Sequence, residues 1–231
     1  MMPSIRPLGD SAVIIHWSNA DDAEISRSVR QLTHVLNACG TSDSAARFTA
    51  VVPAFTSITV HFCLSRMSFQ EAARLIEQAL GRTEDLPAGA PAIIEIPVCF
   101  HELFAPDLAD VAGRHQLEWD DVIRRFCDAE FSVRMIGFSA GFPYLSGLPT
   151  ELATPRRSSP CLNVPRGSVA IGGAQAGIYS QETPGGWNII GRTPLSLFNA
   201  EVTRPCLLTA GDQVRFVPIS VDEFHRWQDE Q

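Results

Sequence analysis

"VPRGSVAIGGAQAGIYSQETPGGWNIIGRTP", residues 164–194, decides the fold of the second half of this chain. Short apolar pieces such as 168–171 and 187–190 alternate in it with turns rich in glycine and proline. No helix-length period survives from Phe131 onward, and the alternation continues through 214–217. Short strands separated by such turns are typical of a β-barrel or a β-sandwich. We therefore predict a mainly-β second half.

The first half has a mixed pattern of strands and helices. Six elements follow in the order strand, helix, strand, strand, helix, strand: 12–17, 25–36, 48–52, 57–63, 72–80 and 92–99. Ser68 and Glu71 form a capping box ahead of the second helix. This βαββαβ order matches the ferredoxin-like plan. Since 82–91, RTEDLPAGAP, has the composition of a linker, we predict an α+β domain at 1–90 and a barrel domain at 91–231.

Composition narrows the class of partner. The chain has 231 residues, 45% of them apolar, and a net charge of −8, which disfavours nucleic acid or an anionic membrane as the main partner. Two short helices predicted before the barrel could form a helix-turn-helix, but Glu118, Asp120 and Asp121 would meet phosphates with the wrong charge. The apolar runs are far shorter than the ~18 residues of a membrane span. Pro3 and Pro7 interrupt the N-terminus where a signal peptide needs an apolar core, so we expect a cytoplasmic protein.

Cysteine and histidine spacing gives no metal site. The six cysteines never fall at CxxC spacing, and the six histidines form no HxxxH or HxH pair. We expect reduced, buried cysteines, no metal and no permanently bound cofactor.

Glycine and aromatic residues alternate in GFSAGFPYLSGLP, residues 137–149. Glycine permits close approach by another chain or a ligand, and aromatic rings offer contact area at a low entropy cost. The segment is either a packed Ω-loop at one end of the barrel or a contact surface. Both interpretations stay open on the sequence alone.

The stretch 164–194 contains two arginines, Arg166 and Arg192, together with the glycine pairs at 172–173 and 185–186. Exposed backbone amides and arginine together suit an oxyanion, although the stretch lacks the GK[ST] of a P-loop and the GxGxxG of a dinucleotide site. A type II turn explains Pro184 and Gly185 without any ligand, but the mixture of aromatic and polar residues favours a concave site for a small polar or anionic ligand. The candidate substrate- or anion-binding residues are Arg166, Ser168, Gln175, Gly185, Gly186, Arg192 and Thr193. The candidate pocket-wall or partner-interface residues are Phe138, Phe142, Tyr144, Tyr179 and Trp187. We identify no catalytic base.

Seven ordered blocks carry a family resemblance across almost the whole chain. They are GDSAV at 9–13, VVPAFTSITV at 51–60, IEIPVCF at 94–100, the two segments at 137–149 and 164–179, PGGWNIIGRTP at 184–194 and GDQVRF at 211–216. With these blocks the chain resembles the family of 5-oxoprolinase B subunits, also described as allophanate hydrolase subunit 1 or the Kip sporulation-kinase inhibitor family. The resemblance implies a ferredoxin-like first domain and a cyclophilin-like barrel.

The resemblance also implies a function. The family's usual unit pairs the B subunit with a C subunit, and an A subunit completes an ATP-dependent 5-oxoprolinase that opens 5-oxoproline to glutamate. ATP would be a co-substrate, because phosphorylating the lactam oxygen turns that oxygen into a leaving group. Related sequences form part of the carboxyltransferase half of biotin-dependent urea carboxylase, and the Kip name implies a non-catalytic regulator that binds a sensor kinase. The sequence leaves all three functions open.

Three positions depart from the family pattern. The family usually has histidine where Phe126 stands, proline where Ala140 stands and arginine where Cys161 stands. The chain thereby lacks one titratable group and one fixed cation. These departures bear on whether the chain supports catalysis.

Overall fold

Two compact units make up the chain, Met1–Ala90 and Pro91–Gln231. The computed structural model describes residues 2–18, 22–40, 48–82 and 93–229. Apart from Arg82, the predicted linker at 82–91 lies outside the described residues. Each unit is therefore described by itself.

The first unit is an antiparallel sheet with two helices. Its described elements are the strands β1 (Ser4–Leu8), β2 (Ala12–His16), β3 (Phe48–Pro53) and β4 (Ser57–Phe62) and the helices α1 (Asp22–Gly40) and α2 (Phe69–Leu80). The strands are ordered β1-β2-β4-β3. Alternate residues of β4, such as Ile58 and Val60, are buried and belong to one core with Leu32 of α1 and Ile76 of α2. The α+β class predicted for this unit is confirmed.

The βαββαβ order does not describe one sheet. The run predicted at 92–99 forms β5 (Ile93–Val98), which pairs with a strand of the second unit, and β1 stands at the sheet edge beside β2 instead. A local sequence pattern predicts that residues 92–99 form a strand but does not predict which strand they pair with. A proline such as Pro7 is compatible with a strand only at the edge of a sheet. Pro7 lies in that edge strand opposite Val13. The ferredoxin-like arrangement stays a prediction.

The second unit is a nearly closed barrel of mixed strand direction. The remaining described strands are β6 (Phe131–Ile136), β7 (Pro143–Ser146), β8 (Cys161–Val164), β9 (Ser168–Gly172), β10 (Gln175–Ile178), β11 (Thr183–Gly185), β12 (Asn188–Arg192) and β13 (Gln213–Pro218). Among the described residues, seven strands form one sheet in the order β12-β9-β10-β7-β6-β13-β5. Its two edges meet where Cys99 N donates to Arg192 O at 2.8 Å and Arg192 N donates to Cys99 O at 3.0 Å. The mainly-β prediction is confirmed, and the cyclophilin-like name stays a prediction.

In the part of the chain that the structure describes, the second unit has two helices between β5 and β6 and one after β13. The two predicted short helices are present as α3 (Leu108–His115) and α4 (Trp119–Cys127). The expectation that no helix follows Phe131 is wrong, because α5 spans Val221–Asp229. Ser220 Oγ accepts from Glu223 N at 3.2 Å while Ser220 N donates to Glu223 Oε2 at 2.8 Å, so a capping box starts this helix. Within the described ranges, no helix is long and apolar enough to cross a bilayer.

Candidate functional site

The five predicted wall residues lie together in one cluster, which we call the aromatic wall. The Phe142 ring is its centre, with ring centroids 4.9 Å from Tyr144, 5.3 Å from Tyr179, 5.4 Å from Phe138 and 5.7 Å from Trp187. The contacts are edge-to-face, the arrangement that aromatic pairs favour. The sequence thus identified a set of residues that the fold brings together.

Glycines make room for the rings of the aromatic wall. A Cβ placed on Gly172 would lie 2.6 Å from Trp187 Nε1, and one on Gly185 would lie 2.7 Å from Tyr179 Cε1. Both distances are well below an ordinary carbon contact of about 3.5 Å. Ring packing therefore explains glycine at both positions without any ligand.

The aromatic wall is buried except at its edge. Trp187 is 6% exposed and Tyr179 2%, whereas Phe138 is 61% exposed. Burial raises the pKa of the Tyr179 hydroxyl, and the Trp187 backbone N–H and the charge of Arg156 partly oppose this shift. Phe138 has φ +67°, a left-handed conformation that residues other than glycine rarely adopt. Phe138 is thus the exposed edge of the aromatic wall, in a backbone conformation of the kind that concentrates at functional sites.

Three of the predicted anion-binding residues, Arg166, Ser168 and Arg192, lie near one another around Gly167. Arg192 stands opposite Ser168 across β12 and β9, and Arg192 Nε donates to Arg166 O at 2.8 Å. Burial lowers the pKa of Arg192, and the nearby Arg166 charge adds to the effect. Ser168 Oγ donates to Pro165 O at 2.7 Å, which commits that hydroxyl proton.

The other predicted binding residues lie elsewhere or are occupied. Thr193 is buried, and its Oγ1 accepts from Leu195 N at 3.3 Å. Gly185 is in β11, and the neighbouring Gly186 O accepts from Arg157 N at 2.8 Å. Gln175 starts β10 opposite Gly172. The seven residues thus do not form one site, and their role in anion binding remains a prediction.

A polar groove that the sequence analysis missed lies beside the aromatic wall. It encloses about 740 Å³ and is lined by Asp110, Arg114, the stretch 154–159 and Asn188. Arg156 connects the two features, because its guanidinium carbon lies 5.8 Å from the centroid of Trp187, within cation–π range. The sequence signal was PRRSSP at 155–160, in which two adjacent arginines stand between prolines.

A buried carboxylate organises one side of the groove. Asp107 is 4% exposed; its Oδ1 forms an ion pair with Arg157, and its Oδ2 accepts from Ile189 N at 2.7 Å. A buried carboxylate needs such partners, because an unpaired charge in the interior is costly. The pair fastens the stretch 154–159 to the start of α3 and to β12. Arg157 is therefore a structural residue of the groove.

The three departures from the family pattern fall in different environments. Phe126 is fully buried, and its ring centroid lies 4.8 Å from Phe216 and 4.9 Å from Phe131. Cys161 is half-buried and Ala140 is exposed. Phe126 is thus a core residue of the barrel in this chain.

The barrel and the sequence together define a class of protein. Residues 3–208 match the family model described as carboxyltransferase domain, subdomain C and D. The chain is 38% identical, over an alignment of 236 residues, to the protein named as the B subunit of 5-oxoprolinase in Bacillus subtilis (strain 168), with 98% of this chain and 97% of that protein covered. The chain therefore belongs to the family of 5-oxoprolinase B subunits, and the resemblance of the sequence blocks is confirmed.

Two solved structures contain the same fold within longer chains. The crystal structure of TTHA0988 superposes with a TM-score of 0.78 at 28% identity, covering 94% of this chain but only 40% of that one. The Kluyveromyces lactis urea amidolyase superposes with a TM-score of 0.76 at 19% identity, covering 97% of this chain and 15% of that one. At 19% identity the second comparison concerns the fold alone. This chain thus spans well under half of either solved chain.

Proposed function

We propose that this chain is the B subunit of an ATP-dependent 5-oxoprolinase that opens 5-oxoproline to glutamate together with a C subunit and an A subunit. The similarity to the Bacillus subtilis protein of that name carries this proposal, because it extends over 97% of that protein. The longer chain of TTHA0988, which contains this fold and more, supports a unit that works with additional protein.

In this proposal the chain binds and orients, and its partners complete the chemistry. The groove offers arginine donors and one amide acceptor, and its one lining carboxylate, Asp110, is exposed. Guanidinium groups suit the carboxylate of 5-oxoproline or the charge that develops when ATP phosphorylates the lactam oxygen. ATP enters as a co-substrate of the cytoplasmic complex. Arg166 and Arg192 stay a second candidate for anion binding.

Reconstitution tests the proposal. The purified chain, the cognate C and A subunits and their combinations are assayed for ATP hydrolysis that depends on 5-oxoproline. We expect turnover only when all three are present, on the order of 1 s⁻¹ as for ordinary enzymes. Full turnover by the C and A subunits without this chain, or by this chain alone, would contradict it.

We propose Phe138 as a contact to the partner subunit. Its ring is exposed, and its strained backbone is held by edge-to-face contacts with Phe142 and Tyr179. Phe138→Asn keeps a residue that tolerates positive φ but removes the ring, so it should weaken assembly by about tenfold or more without unfolding the chain. Leu103→Asn, at another exposed apolar position, is the control. Equal assembly of the Phe138 variant and the control would remove Phe138 from the interface.

A second candidate function is a carboxyltransferase component that acts on a urea-derived substrate. The family description and a partial match to the urea amidolyase of Lachancea kluyveri, 39% identical over 69 residues, favour it. Supplying the complex with urea or allophanate in place of 5-oxoproline separates the two functions. A regulator of a sensor kinase, the third function that the sequence left open, is tested by adding the purified chain to a kinase autophosphorylation assay.

A further inference from the structure

Two residues of the groove, Arg157 and Thr154, already bond to other protein groups and are not available to a ligand. Arg157 pairs with Asp107. Thr154 Oγ1 donates to Leu152 O at 2.9 Å, so its contact with His115 Nε2 at 3.0 Å requires the imidazole to donate. Thr154 therefore has no free proton for a ligand.

Two guanidinium groups of the groove remain uncommitted. Arg114 and Arg156 form no ion pair with any residue in the described ranges, and Arg156 is positioned only by the face of Trp187. The described lining of the groove has one carboxylate, Asp110, to balance these two positive charges, because the carboxylate of Asp107 is already paired with Arg157. The groove thus has an excess positive charge within a chain of net charge −8. Such a local excess suits one anionic group of a ligand.

Asn188 supplies an acceptor. Its Nδ2 donates to Pro155 O at 2.9 Å and to Ile171 O at 3.1 Å, which fixes the orientation of the amide. Its Oδ1 accepts no hydrogen bond from the residues that the structure describes and is not sealed from solvent, although the residue as a whole is only 8% exposed. This free acceptor on a residue that lines the groove can accept a hydrogen bond from a ligand N–H.

We propose that this groove binds a small molecule that carries both a carboxylate and an amide N–H. The carboxylate lies against Arg114 and Arg156, and the N–H donates to Asn188 Oδ1. The assignment to 5-oxoproline, whose ring has both groups, rests on the proposed function. The groove of about 740 Å³ is larger than this ligand needs, which leaves space for a co-substrate.

Calorimetric titration of the full chain tests the site with three probes. 5-Oxoproline has both groups, 2-pyrrolidinone lacks the carboxylate, and N-methyl-5-oxoproline lacks the N–H. We expect the two deficient probes to bind at least about tenfold more weakly. Arg114→Gln and Arg156→Gln should each weaken 5-oxoproline binding by about ten- to a hundredfold, the range for losing a charge-assisted hydrogen bond. Arg215→Gln, on β13 outside the groove, is the matched control and should leave binding unchanged.

The outcomes separate this inference from the proposed function. No binding of 5-oxoproline to the folded chain, or binding to both arginine variants as tight as to the unmodified chain, overturns the inference. Tighter binding of ATP or inorganic phosphate than of 5-oxoproline at these arginines overturns it too, because the groove would then be a phosphate site. In an active complex both variants should raise KM more than they lower kcat. A chain that binds 5-oxoproline here but supports no turnover overturns only the proposed function.

Discussion

Replacing Gly172 with alanine should disrupt the packing of the aromatic wall. The added methyl would lie 2.6 Å from Trp187 Nε1, so the ring must retreat by roughly 1 Å to reach an ordinary contact. Trp187 has little room to retreat, because its ring centroid lies 5.7 Å from those of both Phe142 and Tyr144. Gly172 has no positive φ, so the cost is steric. We expect a loss of about 3 kcal/mol in unfolding free energy, at the upper end for overpacking.

Urea unfolding followed by far-UV circular dichroism measures this loss. Gly113→Ala is the control, because its Cβ meets nothing within 4 Å and alanine favours the helix α3, so it should stabilise by about 0.5–1 kcal/mol. The decisive comparison is made in a Trp187→Phe background. The smaller ring leaves space for the methyl, so the cost of Gly172→Ala should fall by about 1–2 kcal/mol. An equal cost in both backgrounds would refute the argument that ring contact requires this glycine.

Three further predictions concern other groups. Asp107→Asn should cost about 2–3 kcal/mol of unfolding free energy, because the buried carboxylate loses its charged bond to Arg157. The control Asp110→Asn should cost under about 0.5 kcal/mol. Equal costs of the two substitutions in urea unfolding would contradict the role given to Asp107. Burial, with a smaller effect of Asp128, raises the pKa of the Cys127 thiol to about 12. Since the thiol of an unfolded chain has a pKa of about 8.5, the unfolding free energy should fall as the pH rises from about 9 toward 12. Urea titrations at each pH measure this slope, and Cys127→Ala should flatten it. An unchanged slope in the variant would exclude Cys127 as its source. Phe126→His should lower the unfolding free energy by about 3 kcal/mol, more than Phe126→Leu does, because the imidazole would enter a cluster of aromatic rings. Thermal unfolding measures which of the two variants is less stable. A more stable histidine variant would show that the site accommodates the family's histidine.

Local signals predicted single elements of the fold well. The serine and glutamate three residues apart at Ser68 and Glu71 located α2, whose cap has both predicted bonds. The same signal at Ser220 and Glu223 was present and overlooked, which is why α5 was missed. The partner of β5 could not be predicted in this way, because pairing with a strand at the far end of the chain leaves no local pattern.

The aromatic residues cluster as the sequence predicted, while their role as a pocket wall or a partner interface stays a prediction. Clustered aromatic residues interspersed with glycine pack on one another, so the aromatic wall was found from composition. The groove was missed because its lining comes from Arg114 on α3, the stretch 154–159 and Asn188 on β12. Whether an arginine is free depends on partners distant in sequence, as the pairing of Arg157 with Asp107 shows. The sequence alone did not distinguish Arg157, which is paired with a carboxylate, from Arg114 and Arg156, which are not.

The parallel pairing of β5 with β13 sets the order in which the barrel can form during synthesis. Ile93 is in register with Gln213, so the first strand of the barrel to leave the ribosome has its neighbour in the last. Until that strand emerges, β5 presents unpaired backbone groups that other chains could join. A nascent chain stalled before residue 213 cannot complete this ladder, and long-range pairing of this kind forms slowly. Aggregation of incomplete chains therefore competes with folding until residues 213–218 have been synthesised.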